Sequence, residues 1–134
     1  MTIPMHAAAT SARISGAVPQ RLAYAAAGGA AAVLAWAVDG WSWPLLAFAV
    51  LPDLPLAFGF TPGLAKGRLH PRAVPAYNAT HRLVGPVLLG ALGAWTYVGG
   101  GAATWLVAGL AWAAHVLIDR GCGYGLRGRD GWQR

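Results

Sequence analysis

Two imidazoles and two carboxylates, His81, His115, Asp53 and Asp119, stand with Asn78 inside or at the edges of otherwise apolar runs. An ionisable side chain at the centre of a bilayer costs about 2.5–3.5 kcal/mol on insertion scales, so such a group faces a bundle interior or a wet cavity. Three readings of the set stand open. Two His and two Asp form an N/O ligand set suited to zinc, manganese or iron. The same groups as Asp–His pairs would serve acid–base catalysis or proton transfer, because imidazole titrates near neutrality. A His and an Asp on adjacent turns can also simply satisfy each other and lock helices together, with Asn78 bonding across a bundle. His115 and Asp119 are spaced i, i+4, and Asn78 and His81 i, i+3, so each pair shares a helix face. HxxxD spacing is common without a metal, and neither HExxH nor CxxC occurs.

The elements that must position these groups are membrane spans. Of 134 residues, 57% are hydrophobic and 10% charged, and the mean hydropathy is +0.49; soluble domains carry about 25% charged residues. A hydrocarbon core about 30 Å thick takes roughly 20 helical residues per crossing, so the length accommodates about four spans with short connections. The fold expected is an all-α four-helix transmembrane bundle. The single cysteine, Cys122, excludes an internal disulfide framework and reads as a small packing residue.

Residues 1–20 read as a flexible cytoplasmic tail, residues 21–120 as the four-span membrane domain, and residues 121–134 as a basic cytoplasmic tail. The first span is 22–38, Ala-rich, with Gly28 and Gly29 permitting close helix approach. Arg21 before this run and the Ala35-Trp36-Ala37 sequence also fit a cleaved signal peptide, but the length of the run favours an anchor. The second span is 44–60, where Pro52 and Pro55 flank Asp53 and predict a kink or unwound turn that frees carbonyls. A breaker-rich loop, 61–72, leads to a third span within 73–98, of which 83–98 is purely apolar. A glycine-rich turn at 99–104 precedes the fourth span, 105–118. Gly90, Gly93, Gly109 and Ala113 read as helix contacts.

Ten Lys+Arg stand against four Asp+Glu, a balance that by itself would suit nucleic acid. The basic residues instead alternate between loops: Arg13 and Arg21 lie before the first span, Lys66, Arg68 and Arg72 in the middle loop, and Arg120, Arg127, Arg129 and Arg134 at the end. No nucleic-acid partner is therefore expected, only membrane lipids, with an oligomer or partner subunit left open. The positive-inside rule puts both termini and the middle loop in the cytoplasm. With about 1.5 Å of rise per residue, Asp53, His81, His115 and Asp119 then share one depth in the cytoplasmic leaflet. Arg82 near His81 reads first as a snorkelling side chain and second as an anion contact for a substrate.

In order along the chain, Leu51-Pro52-Asp53-Leu54, Tyr77-Asn78-Ala79-Thr80-His81 followed by Gly85-Pro86, His115-x-x-x-Asp119-Arg120 and Gly123-Tyr124-Gly125-Leu126-Arg127 resemble a small bacterial four-helix membrane family. It is the domain-of-unknown-function family numbered four-two-six-zero. The resemblance implies a multi-pass protein of the bacterial inner membrane and maps its recurrent polar positions onto Asp53, Tyr77, Asn78, His81, His115, Asp119, Arg120 and Tyr124. It implies no activity. A Thr-His pair that the family pattern carries near the C-terminus is missing here, which puts any role needing that histidine in doubt.

The resulting expectation is a polar Asp/Asn/His site at the cytoplasmic leaflet of an inner-membrane protein, read as a metal-dependent hydrolase of a lipid or amphiphile. Asp53, His81, His115 and Asp119 are its candidate catalytic or metal-ligating residues, and Tyr77, Asn78, Arg82 and Tyr124 its candidate substrate contacts. The competing class is a non-enzymatic transport, proton-handling or helix-packing subunit.

Overall fold

A computed structural model describes residues 5–134, with side chains from Val18 onward; the side chains of most of the expected tail, 1–20, fall outside that range. The described chain is all-α. Six helices and two short 3-10 turns form four helical units, and no strand occurs among the described residues beyond an isolated bridge between Arg127 and Gln133.

The first unit is α1 (Met5–Asp39). Within it Val18–Asp39 is long and apolar enough to cross a membrane, and no other helix of the described residues meets both conditions. The second unit breaks where Pro52 and Pro55 predict. Helix α2 (Trp43–Val50) passes into a 3-10 turn (Leu51–Asp53) and then α3 (Leu54–Gly59). Proline lacks an N–H and clashes with the preceding turn, so an uninterrupted α-helix cannot run through this segment.

The third unit, expected as one helix, is two. A 3-10 turn (Pro71–Ala73) opens α4 (Val74–Thr80), and α5 (Val84–Val98) begins only after a break at His81–Leu83. Pro86 is the reason: it offers no hydrogen to the carbonyl four residues back and its ring excludes that carbonyl from a continuous helix. The fourth unit, α6 (Thr104–Cys122), ends at Gly123, whose φ of +90° gives the left-handed C-cap that a side chain would strain.

Helix α6 is central, packing on α1, α2 and α5. Small residues set those approaches. Gly28 of α1 lies against Ala114 and Ile118, Gly121 against Ala25, and Gly90 of α5 against Gly109. Ala35, Leu45, Val107 and Ala111 form the buried core between α1, α2 and α6. The outer faces remain apolar, with Trp95 81%, Phe58 78% and Val98 87% exposed.

The C-terminal segment folds back onto the middle loop. Asn78 and Arg127 exchange two hydrogen bonds, Asn78 Nδ2 donating to the Arg127 carbonyl at 2.9 Å and Arg127 N to Asn78 Oδ1 at 2.8 Å. The buried Arg127 guanidinium donates through Nη1 to the carbonyls of Gly67 (2.8 Å) and Gly131 (3.0 Å) and lies over the Tyr77 ring. Leu69 N donates to the Gly131 carbonyl at 3.0 Å, closing the tail against the loop.

Candidate metal centre

Each of the two proline-induced breaks delivers one residue of the cluster. Asp53 ends the 3-10 turn between α2 and α3, and His81 caps α4 with φ −100° and ψ 10°. His115 and Asp119 come from one face of α6, a turn apart. The carbonyls that the breaks release are taken up by side chains, as the cost of an unpaired peptide group in an apolar bundle demands. Thr80 Oγ1 donates to the Pro52 carbonyl at 2.8 Å, and Trp112 Nε1 to the Thr80 carbonyl at 2.7 Å. Gly85 leaves room for that indole, since a Cβ there would sit 2.6 Å from Trp112 Cη2.

The four side chains converge. His81 Nε2 is 3.3 Å from Asp53 Oδ1 and 3.3 Å from Asp119 Oδ2, and His115 Nε2 is 3.5 and 3.6 Å from the same two oxygens. One ligand atom from each residue lies within 4.8 Å of every other. Both histidines are largely buried, whereas the Asp53 side chain is 43% exposed, so the cluster opens on its Asp53 side.

The imidazoles are held by their other nitrogens. His81 Nδ1 lies 2.9 Å from the Tyr77 carbonyl and His115 Nδ1 2.8 Å from the Ala49 carbonyl. A carbonyl can only accept, so each ring carries its hydrogen on Nδ1 and turns Nε2 inward. This is how ligating histidines are oriented by outer partners. Tyr77 also stacks on His81, with ring centroids 3.9 Å apart.

Both Nε2 atoms are buried and neither makes a hydrogen bond, although each lies within ion-pair distance of both carboxylates. Four donors around one centre suit a divalent cation: ligand atoms about 2.0–2.2 Å from a tetrahedral ion are roughly 3.3–3.6 Å apart, which matches the four nitrogen–oxygen separations, while separations of up to 4.8 Å within the set leave it more open than a regular tetrahedron. Two carboxylates also balance its charge. Two neutral imidazoles with two oxygens and no thiolate suit zinc, manganese or iron. Cys122 is exposed and takes no part.

The other candidates take different places. Asn78 spends its amide on the backbone of Arg127, and the Tyr77 hydroxyl lies 3.5 Å from the Gly125 carbonyl. Arg82 points outward and is exposed, and Tyr124 is exposed beside Arg120. The Thr80 and Trp112 contacts and the anchoring by Arg127 were not foreseen from sequence. Thr80 and Arg127 had a signal, Thr80 lying one residue before His81 in the YNxxH run and Arg127 closing the run from Gly123; Trp112 had none, because its partner is distant in sequence.

A family model described as Domain of unknown function (DUF4260) matches residues 20–134. No curated protein and no solved structure matches the chain.

Proposed function

The chain belongs to the DUF4260 family, and from that premise we propose that it is a multi-pass protein of the bacterial inner membrane that holds one divalent metal ion between Asp53, His81, His115 and Asp119 and hydrolyses a lipid or amphiphile there. The observation carrying the proposal is the pair of buried imidazole nitrogens, both rings pinned from behind and both nitrogens 3.3–3.6 Å from the same two carboxylate oxygens without hydrogen-bonding either. Histidines sharing protons directly with the aspartates would align Nε2–H on one oxygen, which favours the metal reading over proton handling.

The ion would supply Lewis-acid polarisation of a scissile ester or phosphoester. The chain's own residues do the rest. Tyr77, through its carbonyl and ring, holds His81, and Ala49 holds His115, so the ligands are preorganised. Asp53 lines an apolar groove of about 360 Å³ with Val50, Leu51 and Leu54, a surface on which an acyl chain can approach the cluster. The broad exposed apolar faces and the Val18–Asp39 helix support a membrane location.

Two measurements test the reading. Elemental analysis of purified wild-type protein is expected to find one zinc, manganese or iron per chain, with ester or phosphoester release from mixed micelles that stops on chelation; a stoichiometry near zero in folded protein defeats it. For orientation, a reporter fused after Arg134 is expected to be cytoplasmic. A periplasmic signal there overturns the topology.

A further inference from the structure

Behind the cluster, where α1 meets the end of α6, is a second pocket, of about 320 Å³, with Arg21, Tyr24, Arg120, Gly123 and Tyr124 in its walls. Its character is set by two guanidinium groups. The Arg21 guanidinium lies over Gly123, so close that a Cβ at that position would be 3.1 Å from Arg21 Cζ and 3.2–3.3 Å from both terminal nitrogens. The positive φ favours glycine there, and the missing side chain lets the guanidinium lie close over the backbone. The Arg120 guanidinium lies 5.8 Å from the centre of the Tyr24 ring, and its Nη2 makes one long contact, 3.4 Å, to the His81 carbonyl. Its Nε is buried and has no partner.

No carboxylate answers these charges. Among the described residues no arginine forms an ion pair, because the carboxylates of Asp53 and Asp119 face the histidines, and Asp39 closes the far end of α1. A guanidinium carries five N–H donors in a planar fork that matches carboxylate and phosphate oxygens. Here two such forks share one pocket, and protein acceptors take only a small part of their capacity. Arg120 and Tyr124 also line the narrow gap that reaches His81 and Asp119, so the pocket abuts the cluster. Arg21 sits in the first turn of the apolar stretch Val18–Asp39, the level at which lipid phosphates meet a span.

We infer that this pocket binds a phosphoryl group. Two positive charges and forked donors suit a phosphate monoester or diester, which offers several oxygens, better than a single carboxylate. The anion site stands independently of the cluster's occupant; only its service as the headgroup subsite of a metal-dependent hydrolase rests on the function proposed above. In that service it makes the substrate a phosphate-bearing amphiphile.

The test uses full-length protein stripped of metal by chelation, in a non-ionic detergent, so that no bound ion contributes to anion affinity. Inorganic phosphate and dioctanoyl phosphatidic acid are titrated separately by calorimetry, with dioctanoylglycerol, which lacks the phosphate, as the comparison lipid expected not to bind this pocket. Saturable binding of either phosphate probe is expected, weakened about tenfold or more by Arg21→Gln and by Arg120→Gln, as loss of a charged hydrogen-bonding group implies, and unchanged by Arg129→Gln in the exposed tail. Binding of phosphatidic acid alone identifies a lipid headgroup; equal or better binding of inorganic phosphate identifies a free phosphate compound. Absence of binding by both probes, or Arg21→Gln protein that binds as wild type does, overturns the inference. Arg21 is exposed and touches the core through no buried contact, so its replacement leaves the fold to be compared directly.

Discussion

His115→Asn protein, purified beside wild type, is expected to keep its helical circular dichroism and, if the cluster holds the proposed ion, to bind it more weakly by more than the roughly 10–100-fold that loss of an outer-shell partner costs. Asparagine carries its amide nitrogen where His115 carries Nδ1 and can still donate to the Ala49 carbonyl, so the buried backbone acceptor stays paired while the inward Nε2 is gone. The same geometry yields a sharper discrimination at Asp53. If the cluster binds a cation, wild-type stability falls on chelation by about 3–4 kcal/mol when the ion had been present at 100–1,000 times its Kd. Chelated Asp53→Asn protein is then expected to be as stable as chelated wild type or more so, because one of two facing carboxylates without a counter-ion has been neutralised. A purely structural His–Asp lock predicts the reverse, with Asp53→Asn destabilising and chelation without effect. Thermal denaturation with and without chelator, on both proteins, separates the two.

The second large effect concerns the α5–α6 approach, where two facing glycines are not equivalent. A Cβ on Gly90 would meet Gly109 at 3.8 Å, an ordinary contact, whereas a Cβ on Gly109 would overlap the backbone of Gly90. Gly90→Ala is expected to be neutral or stabilising by up to about 1 kcal/mol, the helix-propensity gain of alanine over glycine. Gly109→Ala must push the helices apart and is expected to cost about 1–3 kcal/mol or more. Because α6 also carries His115 and Asp119, displacement of that helix is expected, on the proposed metal reading, to lower metal content as well. Equal melting temperatures for the two variants in the same detergent would falsify this account of the packing.

Much of this architecture was legible in the residues. Pro52 and Pro55 announced the break beside Asp53, and the i, i+4 spacing of His115 and Asp119 put them on one face. The small residues of α5 and α6 marked a close helix pair. The break at His81 was missed, although Gly85-Pro86 carried it, because the apolar run beyond Leu83 invited a single long helix. The order of the LPD, YNxxH and HxxxDR runs pointed to one family, and the match over residues 20–134 bears that out.

What the sequence determined by itself was local: which segments are helical, where proline forbids them to continue, and which polar groups stand among apolar neighbours and are too expensive to leave unpaired there. Periodicity places a side chain on a face of its own helix and carries no information about which neighbour that face meets. Tertiary structure decided the rest, by bringing α6 to the centre through contacts of glycine and alanine with α1 and α5. That placement turned four separate residues into a ring of donors. It gave the His115 imidazole a carbonyl from residue 49 to hold its hydrogen, and it laid the Arg21 guanidinium across Gly123. Such pairings join residues 66 or more positions apart, and only the packed bundle brings them within bonding distance.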